Sequence, residues 1–130
     1  MEEKLLLLPE DFVLNPARPI YEQFAEQIRS GIVSGLLPMG GRLPSVRDFA
    51  AEKRVNPTTV ARTYQELERA GLIVTYRGQG TFVNSDPARI ADARQELARE
   101  AVRAFKHTAQ KMGLSVQEML ELGQEEEEEK

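Results

Sequence analysis

Apolar positions change period twice along this chain, and the changes divide it. Ile20, Phe24, Ile28 and Ile32 recur every fourth residue, which predicts an amphipathic helix over roughly residues 19–34, closed by Ser34-Gly35. Leu37-Pro38-Met39-Gly40-Gly41 reads as a loop. Arg42-Leu43-Pro44 reads as a short extended piece, because a residue before proline is pushed out of helix. Ser45-Val46-Arg47-Asp48 has the form of a capping box and opens a helix of about nine residues with Val46, Phe49 and Ala50 inward. Asn56 as N-cap and Pro57 as first helical residue start the next helix. Its inward stripe is Val60, Tyr64, Leu67 and Ala70, and Gly71 ends it.

After Gly71 the period falls to two. Leu72–Tyr76 and Thr81–Val83 predict a hairpin turned by Arg77-Gly78-Gln79-Gly80. Asp86-Pro87 repeats the Asn56-Pro57 arrangement and opens a helix running to Met112, with Ile90, Ala93, Leu97, Ala101, Phe105 and Met112 on one apolar side. Ser115-Val116-Gln117-Glu118 is a second capping box, for a short helix over 115–122 with Val116, Met119 and Leu120 inward. The expected fold is mainly α. An N-terminal arm (1–18) precedes a winged helix-turn-helix, three helices plus a β-hairpin wing, over 19–84. A two-helix element (85–123) and an acidic disordered tail (124–130) follow.

Composition narrows the chemistry. At 130 residues, 41% hydrophobic and 29% charged, the chain suits one globular domain with a short appendage. Its longest apolar run, Leu5–Leu8, is far below a membrane span, and the acidic start is unlike a secretory signal, so a cytoplasmic location is expected. With no cysteine and the single histidine His107, thiol chemistry, disulfides and zinc–thiolate sites are excluded, and neither metal nor cofactor is expected. No nucleophile has an adjacent base, and Gly78-Gln79-Gly80 precedes a strand where a nucleotide loop would open a helix, so no enzyme is expected.

The net charge of −4 hides a division. Residues 18–83 carry nine basic and six acidic side chains, while residues 1–17 and 84–130 are net acidic. The middle segment can therefore meet DNA although the whole chain is acidic. Thr58, Thr59 and Arg62 fall on the first turns of the third helix, away from its apolar stripe. A recognition helix reads base edges with its N-terminal residues, and its first N–H groups are expected to face phosphate. A winged helix that binds only protein is the alternative. Steep weakening with salt marks DNA binding, whereas an apolar protein interface lacks it.

Five blocks, Pro19-Ile20-Tyr21-Glu22-Gln23, Arg42–Arg47, Asn56–Leu67, Gly71-Leu72-Ile73 and Arg77–Val83, together resemble the GntR family of bacterial transcription regulators, and the short remainder resembles its YtrA-like subfamily. The resemblance implies a homodimer on double-stranded DNA bearing an inverted-repeat operator, acting more as repressor than activator. It places Arg47, Thr58, Thr59 and Arg62 on DNA and the wing Arg77, Gly78, Gln79 and Gly80 toward the minor groove. Ser45, Asn56, Pro57 and Thr63 complete the candidate DNA-binding set. The C-terminal helices are expected to hold the dimer through Ile90, Leu97, Ala101, Phe105, Met112, Met119 and Leu120, because such a stripe left in water is an aggregation liability. Whether a small-molecule effector binds stays open. Lys53-Arg54 departs from the family's Leu-Gly; a positive φ at Arg54 would cost about 1 kcal/mol relative to glycine.

Overall fold

The computed structural model describes residues 5–128. Among them the order is α1 (Ile20–Val33), β1 (Arg42–Leu43), α2 (Val46–Lys53), α3 (Pro57–Arg69), β2 (Ile73–Tyr76), β3 (Gly80–Val83), α4 (Pro87–Met112) and α5 (Val116–Glu128). This is the mainly α winged helix-turn-helix that the periodicity predicts. No described helix is long and apolar enough to cross a membrane. The chain divides into two compact units, residues 1–94 and 95–130.

In the first unit α3 is the central element, packed against α1, α2 and β2. Val60 and Leu67 are buried on its inner face. A file of rings crosses the core: Phe12 to Phe24 at 6.2 Å, Phe24 to Phe49 at 5.7 Å and Phe49 to Tyr64 at 6.4 Å between centroids. Tyr64 donates its hydroxyl to the Pro44 carbonyl at 2.7 Å. Burial, with the charge of Glu52 adding to it, raises the Tyr64 pKa well above the usual tyrosine value, so the hydroxyl stays a donor. The sheet has the order β1-β3-β2, all antiparallel, with Arg42 opposite Phe82 and Tyr76 opposite Gly80 at the hairpin end. Gly80 has φ 125°, and a Cβ there would lie 3.0 Å from Arg42 Nε. The positive φ calls for glycine, whereas the arginine's flexible end can move aside.

The predicted caps form. Ser45 Oγ accepts from Asp48 N–H at 3.1 Å, Asn56 Oδ1 from Thr58 N–H at 2.9 Å, and Asp86 from Ala88 N–H at 3.0 Å. Ser115 and Glu118 make both halves of their box, at 3.0 and 3.1 Å. At the C-termini, α2 and α3 close with one pattern. Leu72 N–H donates to Leu67 C=O and Gly71 N–H to Glu68 C=O, with Gly71 at φ 76°. Val55 and Arg54 repeat these bonds onto Ala50 and Ala51, but the left-handed residue is Arg54, at φ 57°. A side chain there strains a position that suits glycine. Arg54→Gly is therefore expected to raise unfolding stability by about 1 kcal/mol, read from the denaturant midpoint. An unchanged or lowered midpoint would mean that glycine's extra freedom in the unfolded chain cancels the relief.

Several expectations are corrected. The described part of the N-terminal arm packs in a way that its pattern did not foretell: Leu7 and Leu8 are buried, and buried Gln23 clamps Asn15 by accepting from its N–H at 2.7 Å and donating to its carbonyl at 2.8 Å. The compact unit runs on past residue 84, where the winged module was expected to end, because the first turns of α4 belong to it. Arg89 Nε donates to the Ala70 carbonyl at 2.9 Å, closing α3, and Arg94 Nε donates to the Val33 carbonyl at 2.7 Å, closing α1. Ile90, expected on a dimer face, is only 4% exposed within the single chain and has no surface left for a partner. In the second unit Leu120, expected inward, is 51% exposed. The tail expected to be disordered is helical as far as Glu128, since Gly123 does not stop α5 and glutamate is a good helix former. Residues 129–130 of that tail lie outside the described residues.

Candidate nucleic-acid interface

Two helices joined by Arg54, Val55 and Asn56 set the reading end of α3. Asn56 and Pro57 fix where α3 begins, and Val60, Tyr64 and Leu67 fix which face turns inward. Thr58 and Arg62 are consequently exposed, with Thr59 half-exposed. They border a depression of about 450 Å³ whose other walls are Pro19, Ile20 and Tyr21 from the start of α1. Tyr21 is a neighbour that sequence periodicity did not bring out. Its ring centroid lies 3.8 Å from the Arg62 guanidinium carbon, and its hydroxyl accepts from Arg62 Nη2 at 3.1 Å.

This geometry offers an exposed guanidinium and two threonines at the N-terminal end of a helix that follows a short turn, with a wing behind it. Residues 20–83 match the model of the gntR family of bacterial regulatory proteins. The HTH-type transcriptional regulator YhcF of Bacillus subtilis is 42% identical over 105 residues, covering 81% of this chain and 87% of that protein. The chain belongs to the gntR family. It is accordingly a transcription regulator with a helix-turn-helix DNA-binding domain, not an enzyme. The HTH-type transcriptional repressor YtrA of Bacillus subtilis is 33% identical over 104 residues, covering 79% of this chain and 80% of that protein. Among solved structures, a GntR family transcriptional regulator from Listeria monocytogenes superposes with a TM-score of 0.79 at 32% identity, covering 86% of this chain and 98% of that one.

As a gntR-family site, the predicted residues sort by what their side chains already do. Ser45 Oγ and Asn56 Oδ1 are committed to caps, so they shape the two helix starts. Arg47 is exposed one helix away, in the first turn of α2. Arg77, Gly78 and Gln79 are exposed at the hairpin tip, and Gly80 begins β3 beneath them. Arg42, on the neighbouring strand, lies 5.9 Å from the Phe82 ring centroid, which brings a further cation to the wing.

Two expectations about α3 are overturned. Thr63 is 0% exposed and donates its hydroxyl to the Thr59 carbonyl at 2.9 Å, so it cannot reach DNA. Its position three residues after Val60 places it beside the apolar stripe, a signal that the sequence did carry. The first-turn N–H groups expected for phosphate are also engaged after the cap. Pro57 has none, Thr58 N–H is taken by Asn56 Oδ1, and Thr59 N–H by the Asn56 carbonyl at 2.9 Å.

Proposed function

We propose that this gntR-family regulator binds an inverted-repeat operator as a homodimer and represses transcription, working in the cytoplasm. The observation that carries the reading is the pairing of exposed Thr58 and Arg62 at the start of α3 with a glycine-turned wing. Arg47 and Arg77 supply further exposed cations for phosphate or the minor groove. Repression is supported by likeness to a protein named as a repressor. The homodimer is supported by the second unit. There Val102, Met112, Leu120 and Leu122 are each more than half exposed, Ala101 is exposed, and Leu97, Phe105 and Met119 are partly covered. So much apolar surface in so small a unit suits burial against a second copy.

Selection of bound sequences from a random DNA pool tests the reading. It should return two inverted half-sites with centres about one helical turn, roughly 10 bp, apart. Arg62→Ala is expected to lower affinity for the selected operator by about 1–3 kcal/mol while the fold remains, as measured by fluorescence anisotropy. A pool that never enriches, together with binding indifferent to salt, would favour a protein-docking winged helix instead.

A further inference from the structure

Arg62 is exposed, yet it is not loose. Its guanidinium lies on the Tyr21 ring, 3.8 Å from the centroid, and its Nη2 donates to Tyr21 Oη at 3.1 Å across 41 residues of sequence. The phenol in turn donates to Glu22 Oε1 at 3.4 Å, and Glu22 lies 3.7 Å from Arg18. Contact with the ring face sets the plane of the guanidinium, and the hydrogen bond sets its rotation within that plane. Arginine has five N–H donors in a rigid fork, so one bond to Tyr21 leaves enough for a two-pronged contact with a base edge. The commonest such edge is guanine, through O6 and N7. A long side chain held in its binding geometry loses less freedom when DNA arrives.

We infer that Tyr21 is a positioning residue for base reading by Arg62: from α1 it presets the guanidinium at the N-terminal end of α3 and so sharpens preference for a paired acceptor such as guanine. This rests on the proposed reading of α3 as the recognition helix. If Tyr21 only tied α1 to α3, its loss would change stability and leave base preference alone.

The test uses the full chain, the selected operator, operators changed one base pair at a time, and a random duplex. Tyr21→Leu should lower preference for operator over random DNA about fivefold, with random-duplex affinity unchanged and the loss at the base pair that Arg62→Ala also relaxes. Tyr21→Phe keeps the ring and loses the acceptor, so about a twofold loss at the same base pair is expected. In an Arg62→Ala background, Tyr21→Leu should change nothing further. Melting curves establish that each variant is folded; should Tyr21→Leu fail to fold, Tyr21→Phe decides alone. Undiminished base preference in the folded Tyr21 variants, or losses that add to that of Arg62→Ala, overturns the inference. A loss with Arg62→Ala but none with the Tyr21 variants removes Tyr21 alone, whereas no loss with Arg62→Ala removes the recognition reading as well.

Discussion

A chain ended at Val83 is expected to unfold, while one ended at Ala98 keeps the winged module intact. Ending at Val83 removes the Arg89 bonds that close α3, the Arg94 bond that closes α1, and the buried Ile90 and Ala93. Burial of Ile90 accounts for roughly 2 kcal/mol and each charge-assisted bond for about 1.5–3 kcal/mol. The loss is on the order of 6–10 kcal/mol, which is comparable to the whole stability of a small domain. Ending at Ala98 retains all four residues and one further helical turn, and removes the rest of α4 together with α5, which belong to the second unit. Thermal melts of the two chains separate them, and equal melting temperatures would show that α4 contributes nothing to the module. The same shorter chain tests the homodimer. If the C-terminal unit joins two copies, the Ala98 chain should sediment as a monomer and bind the operator at least about 100-fold more weakly, through loss of linked half-site binding. A full-length protein that is itself monomeric at tens of micromolar would end the dimer proposal.

Phe49→Ala is expected to lower unfolding stability by about 3–5 kcal/mol. Phe49 is 2% exposed and stands between Phe24 and Tyr64 in the ring file, so its removal opens a void where α1, α2 and α3 meet. Because α3 takes its seat from this core, operator binding should fall in proportion to the unfolded fraction. It should recover at low temperature or with added stabilising osmolyte. Denaturant titration gives the first quantity and anisotropy the second. A drop below about 1 kcal/mol would mean that the neighbouring rings close over the gap.

Much of this protein is decided by interactions within a few residues of sequence, and those are the parts a single chain displays. Ser45, Asn56, Asp86 and Ser115 cap helices through bonds to residues two or three positions on. The fourfold recurrence of Ile20, Phe24, Ile28 and Ile32 gives α1 its buried face, with Ile20 itself half-covered. The change of period after Gly71 marks the wing, and the spacing of five blocks marks the gntR family. Even the left-handed turn at Arg54 could be posed as a question from sequence, since the family's pattern favours glycine there.

Tertiary structure alone decided where the long-range partners fall. Nothing near Arg89 or Arg94 in sequence signals a helix C-terminus 19 or 61 residues away; only folding brings the donor to the carbonyl. For that reason the compact unit runs on to Arg94, past the end of the hairpin. The unbroken run Leu5–Leu8 shows no helical or strand period, so the burial of Leu7 and Leu8 could not be read from pattern. Likewise Tyr21 and Arg62 lie on separate helices whose outward faces look independent until α1 and α3 pack. Short-range order follows from backbone hydrogen bonding and side-chain period, which are written locally. The reading arginine's posture depends on the distance between two helices, and only packing sets that distance.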